Sequence, residues 1–442
     1  MSGVSAALRQ MAGEGAQPSF ILGRSCPLVD EPISFLLKGV PRGQIIRLTA
    51  SSIDQSGIEF RSWAEYRAGP DRQVDPTRQR RRAGTFTGVD PFCLWWSMSS
   101  TPERAFAVGL NPIQTTVSAE IAGELVAHIG FERLRVAPAV GIESVRDGGL
   151  VATLFQPPSM PAPGVVVLGG SEGGLSQAEG MAALLASRGF VALALAYFGV
   201  DGLPLQMVEI PVEYVEAAVL WLLARLEVGT AGAGLIGISR GGELALLTAS
   251  FFPKVRAVVG LAASGIVWPG FAAGLPTPLS AWTRGGRAVP CAFPVAPPRA
   301  DCNSPLALRG AFLRGLDQQR QVARAEIPVD RIQAPVLLIS GREDQMWPAH
   351  LFAKLAMRRR AKIGPDFHDL NLTYARAGHS AGRLIGLPAA PTTASYTGGR
   401  LCYALGGTKA ANSRSALDAW PRILAFLKDN LQSAPAAGRA RQ

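Results

Sequence analysis

The chain has 442 residues, of which 48% are hydrophobic and only 17% are charged, with 44 basic side chains against 33 acidic ones. A charged fraction this far below the usual ~25% excludes a mostly disordered polypeptide, and the length predicts two or three domains. The five cysteines show no C-x-x-C spacing and the four histidines no H-E-x-x-H or H-x-H pairing. We therefore expect neither a disulfide framework nor a metal site.

The same composition limits the partners and the location of the protein. No apolar run reaches the ~18 residues of a membrane span, and the first 24 residues lack the regions of a secretory signal. We therefore predict no membrane span and a cytoplasmic location. The two dense basic clusters, residues 78–82 and 358–360, have no interleaved aromatic residues, so we expect no nucleic-acid partner.

After an N-terminal extension of residues 1–25, residues 26–154 carry short runs of β-type residues separated by turn signals. Polar and apolar positions alternate within them, as where Arg47 and Thr49 interleave with Ile46 and Leu48. This pattern predicts an antiparallel β-sandwich domain. The predicted strands cover residues 33–37, 45–51, 58–66, 94–98, 115–121 and 131–136.

The pattern changes in residues 155–432, where apolar runs lack alternation, as is typical of strands buried on both faces. Helix-length segments at 176–188 and 211–226 separate these runs, and the alternation predicts a doubly wound, mostly parallel α/β sheet. The runs cover residues 165–169, 191–196, 234–239, 255–263 and 335–341. We expect an irregular surface excursion at 269–305, a loop at 381–413, a helix at 416–431 and a tail at 433–442.

The segment Gly237-Ile238-Ser239-Arg240-Gly241 lies between a predicted buried strand and a predicted helix. This strand-turn-helix context predicts a nucleophile elbow, in which a strained turn exposes the Ser239 hydroxyl. Gly237 and Gly241 would leave room for the crossing backbone. The Arg240 N–H, at the start of the helix, would point at a developing oxyanion.

A second oxyanion donor is expected from the glycine-rich loop that follows the strand at 165–168. That loop reads Gly169-Gly170-Ser171-Glu172-Gly173-Gly174, and we take the backbone N–H of Glu172 or Gly173 as the candidate donor. A phosphate-binding loop is the alternative interpretation, but the spacing fits neither G-x-G-x-x-G nor the P-loop.

An acid and a histidine follow the serine in the order typical of this fold, each after a predicted strand. Asp344 follows the strand at 335–340, and His379 follows residues 370–375. We predict that His379 accepts the serine proton and that Asp344 orients the imidazole. Glu343 is the alternative acid, and the other three histidines are expected to be structural or at the surface.

Several longer motifs give the chain a resemblance to the acyl-CoA thioesterases and bile acid-CoA:amino acid N-acyltransferases over about residues 26–432. They are DEPISFLLKGVPRGQIIRL, GTFTGVDPFCLWWSM, LGGSEGGL, GFVALALAYFGVDGLP, IGISRGGELAL, IPVDRIQAPVLLISGREDQMW and ARAGHS. The resemblance implies an immunoglobulin-like sandwich, an α/β-hydrolase domain and a triad matching Ser239, Asp344 and His379. Members that transfer acyl groups to glycine or taurine carry cysteine as nucleophile, so serine at position 239 favours hydrolysis.

These features together predict an acyl-CoA thioesterase that acts through an acyl-serine intermediate and needs no cofactor. The expected partner is a small-molecule acyl-CoA or ester. Arg240 and nearby basic residues are candidates for contact with the CoA phosphates, although solvated arginine side chains are the favoured interpretation. Three alternatives remain open on the same residues. They are an amino-acid N-acyltransferase, a carboxylic ester or lactone hydrolase, and a non-catalytic binding module.

Overall fold

The computed structural model describes residues 17–230, 232–272, 275–295, 305–363, 367–396 and 401–431. They form two compact units, one running to Arg135 and including residues 384–390, the other containing the rest from Val136 onward. The division therefore falls at 135/136, whereas the sequence placed it at 154/155. The difference arises because the strands at 141–145 and 151–156 belong to the large sheet of the second unit.

The described part of the first unit is built mainly of β-strands. Five strands form an antiparallel sheet in the order β5-β4-β3-β6-β7, and β1 pairs with β2. Residues of β3 alternate between buried and exposed positions, as the sequence pattern predicts. The elements are β1 (Ser19–Leu22), β2 (Phe35–Lys38), β3 (Ile45–Ile53), β4 (Glu59–Arg67), β5 (Ala83–Gly84), α1 (Cys93–Trp96), β6 (Ile113–Ile121) and β7 (Glu124–Arg133).

Two details of this unit differ from the expectations. The run at 94–98, predicted to be a strand, lies largely in the helical turn α1, whose four side chains are all buried. Because a short run that is apolar on every side has neither a helical nor a strand period, the sequence cannot assign it. The predicted extension contains β1, while residues 1–16 lie outside the described residues.

The second unit is organised around an eight-stranded sheet in the order β20-β19-β14-β13-β10-β11-β9-β8. The strands from β20 to β11 run parallel to their neighbours, and β9 and β8 are antiparallel. This topology confirms the predicted mostly parallel sheet. The strands are β8 (Gly141–Val145), β9 (Val151–Gln156), β10 (Gly164–Leu168), β11 (Val191–Ala196), β12 (Ile210–Pro211), β13 (Ala233–Ile238), β14 (Val255–Leu261), β15 (Pro269–Ala272), β16 (Leu275–Ser280), β17 (Trp282–Arg284), β18 (Arg287–Ala288), β19 (Val336–Gly341), β20 (Leu370–Tyr374), β21 (Thr393–Tyr396) and β22 (Leu401–Ala404).

Helices of this unit pack directly on the sheet. Helix α2 contacts β10 and β11, α4 contacts β13 and β14, and α8 contacts β14. Every residue of β10, β11 and β13 is buried, which is why these runs lack alternation. The helices are α2 (Ser176–Ser187), α3 (Val212–Leu223), α4 (Arg240–Ala249), α5 (Arg309–Leu316), α6 (Gln319–Ala325), α7 (Ala349–Arg360) and α8 (Lys409–Leu431), with short 3-10 helices at Val329–Arg331 and Ala361–Ile363.

The two segments predicted to be irregular contain secondary structure. Strands β15 to β18 occupy much of 269–305, and β21, β22 and the first turns of α8 lie within 381–413. The sequence signal fails there because β15 and β16 form a two-stranded sheet outside the large sheet, and a strand at a sheet edge tolerates prolines such as those of LPTPLS. Helix α8 begins at Lys409, seven residues before its predicted start, and residues 432–442 lie outside the described residues.

Among the described residues, no helix is both long enough and apolar enough to cross a membrane.

Candidate active site

Ser239 lies between the carboxyl end of β13 and the first residue of α4. Its backbone is strained, with φ 55° and ψ −115°, as expected where a strand turns directly into a helix. The turn is fixed by a hydrogen bond of 2.7 Å from the Ser239 N–H to the Leu261 carbonyl on β14. The side chain is thereby held above the carboxyl edge of the sheet.

The two elbow glycines have no room for a side chain. A Cβ at Gly237 would collide with the backbone of Gly241, and a Cβ at Gly241 would collide with the Gly169 carbonyl oxygen at the end of β10. Only glycine allows the helix to approach the strands this closely, so the structure gives both residues the steric role that the sequence predicted.

His379 follows Ser239 by 140 residues in the sequence but lies next to it in the structure. Its Nε2 lies 2.9 Å from the Ser239 Oγ. The backbone N–H of His379 donates to the Leu405 carbonyl at 2.8 Å, and the backbone N–H of the preceding Gly378 donates to the Asn412 Oδ1 at 2.8 Å. The loop after β20 is thus anchored on both sides of the imidazole, which leaves the ring little freedom to turn away.

Asp344 lies on the other side of the ring. Its Oδ2 is 2.8 Å from the His379 Nδ1, while its Oδ1 accepts the backbone N–H groups of Met346 at 2.8 Å and Trp347 at 3.2 Å. The carboxylate is fully buried, whereas Glu343 is exposed. The structure therefore brings Asp344, and not the alternative Glu343, to the histidine.

The three side chains form one buried chain of hydrogen bonds. Ser239 is 7% exposed and His379 3%. The Trp347 indole stands edge-on to the imidazole, with ring centroids 5.9 Å apart, and donates its Nε1–H to the Ala262 carbonyl at 2.9 Å. Water has little access to the imidazole, and its position is set by packing as well as by hydrogen bonds.

The Arg240 backbone opens helix α4, where the first N–H groups have no acceptor within the helix. Its guanidinium, however, is buried. It donates to the Glu243 Oε2 at 2.8 Å and to the carbonyls of Trp268 and Pro269 at 2.9 and 3.0 Å. For Arg240, both the favoured expectation of a solvated side chain and the alternative of phosphate contact are therefore wrong, because these donors are directed into the protein interior.

Glu243 completes this buried network beneath the site. Its Oε1 accepts the Trp282 indole N–H at 2.7 Å and the Trp268 backbone N–H at 3.2 Å. Burial raises the pKa of Glu243 from 4.5 to about 7, an effect that the nearby Arg240 charge opposes. The network ties α4 to the segment around Trp268, which forms one wall of the pocket described below.

The glycine-rich loop after β10 reaches the pocket at Ser171, next to the candidate donors Glu172 and Gly173. The Gly170 N–H donates to the Gln177 Oε1 at 3.1 Å, and the next residue, Ser171, lines the pocket at Ser239. Gly173 has φ +70° and lies against the Phe198 ring. Among the described residues, Glu172 and Gly173 are not on the pocket wall.

A pocket with a volume of about 40 Å³ opens over the Ser239 hydroxyl. Most of its walls are apolar or aromatic, and they come from separate parts of the second unit. Sequence reasoning missed these walls because an aromatic residue in a helix or strand looks the same whether it lines a core or a cavity. The lining residues are Ser171, Ser239, Arg240, Trp268, Pro269, Phe271, Pro276, Leu308, Phe312, Met346, Trp347 and His379.

Within the described part of the chain, no three His, Cys, Asp or Glu side chains come together as a metal site would require.

Comparison with known proteins places the chain in a family. Residues 210–433, more than half of the chain, match the family described as "BAAT / Acyl-CoA thioester hydrolase C terminal", and residues 30–147 match "Acyl-CoA thioester hydrolase/BAAT N-terminal region". The chain belongs to the acyl-CoA thioester hydrolase/BAAT family. The resemblance inferred from the sequence motifs is thereby confirmed.

Relatives in this family match nearly end to end. Acyl-coenzyme A thioesterase 1 of Rattus norvegicus is 32% identical over 428 residues, which cover 92% of this chain and 95% of the relative. The mitochondrial acyl-coenzyme A thioesterase 2 of the same species is 32% identical, covering 92% and 88%. The peroxisomal succinyl-coenzyme A thioesterase of Mus musculus is 30% identical, covering 93% and 96%. One of these relatives is named mitochondrial and another peroxisomal, so a cytoplasmic location of this chain stays a prediction.

Proposed function

We propose that the protein is an acyl-CoA thioesterase in which Ser239 is the nucleophile, His379 the general base and Asp344 the group that orients the histidine. The observation that carries this proposal is the continuous hydrogen-bond chain from the Ser239 Oγ through the imidazole to the Asp344 carboxylate. Nearly full-length similarity to proteins named acyl-CoA thioesterases supports a thioester of coenzyme A as the substrate.

The contacts of Asp344 support one tautomer of the histidine. Its Oδ1 accepts hydrogen bonds from two backbone N–H groups, so its Oδ2 is the oxygen that accepts the hydrogen bond from the His379 Nδ1–H. That tautomer leaves the Nε2 lone pair facing the Ser239 hydroxyl. The serine can then lose its proton to Nε2 as its Oγ attacks the thioester carbonyl carbon.

The tetrahedral intermediate carries a negative charge on the former carbonyl oxygen. We assign one stabilising donor to the backbone N–H of Arg240, at the amino end of α4. The second donor belongs to the loop of residues 169–174, where Ser171 lines the pocket and Glu172 and Gly173 are the donors that the sequence suggested. As this intermediate collapses, its C–S bond breaks and the His379 Nε2–H gives its proton to the departing sulfur, so the CoA thiol leaves and an acyl-serine remains. Neutral His379 then takes a proton from a water that attacks the acyl carbon, and it returns that proton to the Ser239 Oγ as the free acid is released.

The test is thiol release from acyl-CoA by the purified protein, followed with a thiol-reactive dye. Wild type is expected to turn over acyl-CoA, and Ser239→Ala is expected to lose activity by several orders of magnitude while unfolding at the same denaturant concentration. Equal turnover by Ser239→Ala would contradict the proposal. So would the formation of an amide when glycine or taurine is supplied, or a strong preference for p-nitrophenyl esters over every acyl-CoA, since these results would indicate an acyltransferase or an ester hydrolase.

A further inference from the structure

A second, larger cavity adjoins the pocket over Ser239. Pro276, Leu308 and Phe312 line both cavities, so the two cavities adjoin at these three residues. The second cavity has a volume of about 440 Å³, against about 40 Å³ for the pocket at the serine. A group that extends beyond the small pocket therefore has a place to continue.

The chemistry of the second cavity selects its occupant. Its walls are aliphatic, aromatic or proline side chains, among them Phe293, Leu306 and Ala311, and its described lining includes no charged residue. Thr277 supplies the one side-chain hydroxyl of that lining. A phosphate or a nucleotide base would lose its hydrogen bonds to water there, whereas each methylene of an alkyl chain would gain free energy on entering.

Phe312 has a fixed position where the two cavities adjoin. Its ring packs edge-on against Trp268, with centroids 4.7 Å apart, and against Trp347 at 5.7 Å. Trp347 in turn contacts the imidazole of His379. The entrance to the second cavity is therefore part of the same aromatic cluster that surrounds the reacting groups, which gives it a fixed position relative to Ser239.

We propose that the second cavity receives the distal part of a medium- or long-chain acyl group whose thioester carbon lies at Ser239, with Pro276, Leu308 and Phe312 as the passage between the two. This inference rests on the proposed thioesterase function and assigns its substrate class. A short acyl group fills the first pocket alone. Leu306, on the second cavity only, then acts as a specificity-determining residue for chain length.

The experiment compares Leu306→Trp, which places an indole in the second cavity, with Ala307→Trp as the matched control. Ala307 is the next residue, is exposed and lines neither cavity. We measure kcat/KM for butanoyl-, octanoyl- and dodecanoyl-CoA. Each methylene kept out of the cavity costs about fourfold, so in Leu306→Trp the ratio of kcat/KM for dodecanoyl-CoA to that for butanoyl-CoA is expected to fall at least tenfold. Ala307→Trp is expected to keep the wild-type ratio within twofold.

An unchanged ratio in a folded Leu306→Trp protein overturns the inference and leaves the thioesterase function intact. Should Leu306→Trp fail to fold, Leu306→Ala enlarges the same cavity and is expected to raise the relative kcat/KM for hexadecanoyl-CoA; no rise overturns the inference.

A binding measurement separates the two proposals. Dodecanoate, the product, is titrated calorimetrically into wild type, Leu306→Trp and Ala307→Trp, which requires no turnover. If no acyl-CoA is hydrolysed, the proposed function fails. The binding of dodecanoate then still tests whether the second cavity receives an alkyl chain. At least tenfold weaker binding to Leu306→Trp alone supports the apolar site, whereas equal binding to all three proteins, or none to wild type, overturns it.

Discussion

Replacing Asp344 with asparagine tests the proposed orientation of the histidine with almost no change in side-chain shape. The Asp344 Oδ1 accepts two backbone N–H groups, from Met346 and Trp347. An asparagine at position 344 must keep its oxygen there, because the opposite rotamer would place its NH₂ group against these two donors. The NH₂ group of Asp344→Asn therefore faces the Nδ1 of His379.

That arrangement reverses the tautomer of the imidazole. Nδ1 must then present its lone pair to the amide, and the proton moves to Nε2, which faces the Ser239 Oγ at 2.9 Å. A protonated Nε2 cannot accept the serine proton. The expected loss in kcat is about 10⁴-fold, which corresponds to roughly 5 kcal/mol of transition-state stabilisation at about 1.36 kcal/mol per factor of ten.

The assay is thiol release from dodecanoyl-CoA by wild type, Asp344→Asn and Glu343→Gln. Glu343 is the adjacent carboxylate and is exposed, so Glu343→Gln is expected to keep kcat within about twofold. Urea unfolding of each protein shows whether the buried site is intact. The reasoning would be refuted by a folded Asp344→Asn protein that retains kcat within tenfold of wild type, or by a loss in Glu343→Gln as large as that in Asp344→Asn.

Two further predictions concern the elbow and the network beneath it. Gly241→Ala would press a methyl group against the Gly169 carbonyl oxygen and is expected to lower the free energy of unfolding, measured with urea, by about 1–3 kcal/mol or more. Gly130→Ala, where a Cβ meets open space, is the control. Equal losses of stability in the two variants would contradict this account. Because burial raises the pKa of Glu243 to about 7, the folded state binds a proton that the unfolded chain has lost above pH 4.5. The contribution of this proton to stability is therefore complete below pH 4.5 and is lost as the pH rises through 7. The free energy of unfolding of wild type should accordingly fall relative to that of Glu243→Gln between pH 5 and pH 8. A difference between the two proteins that stays constant with pH would contradict the assignment.

The sequence succeeded where local pattern carries the information. The strand at 191–196 was predicted with its observed bounds, because a run buried on both faces is apolar throughout. Ser239 and His379 are 140 residues apart, yet both follow predicted strands of one parallel sheet. Since the carboxyl ends of parallel strands meet at one edge, their proximity could be predicted without coordinates.

The sequence failed where neighbouring elements decide the outcome. Residues 94–96 lie in a buried helical turn, and the proline-containing strands β15 and β16 pair with each other in a two-stranded sheet outside the large one. Neither pattern has a period that distinguishes strand from helix or loop. The domain boundary was misplaced for a related reason, because β8 and β9 join the large sheet at its antiparallel edge, and alternation alone does not reveal which sheet a strand will join.

By itself, the sequence determined the family, the order of strands and helices around the elbow, and the three residues Ser239, Asp344 and His379 as the candidate triad. Only the tertiary structure decided which of two adjacent carboxylates faces the histidine, that the Arg240 guanidinium points inward to Glu243, and that two apolar cavities adjoin. These facts depend on the direction of side chains and on packing between segments far apart in the chain. Periodicity and motif spacing describe which face a residue occupies, whereas the contents of a cavity are set by what the rest of the fold places opposite that face.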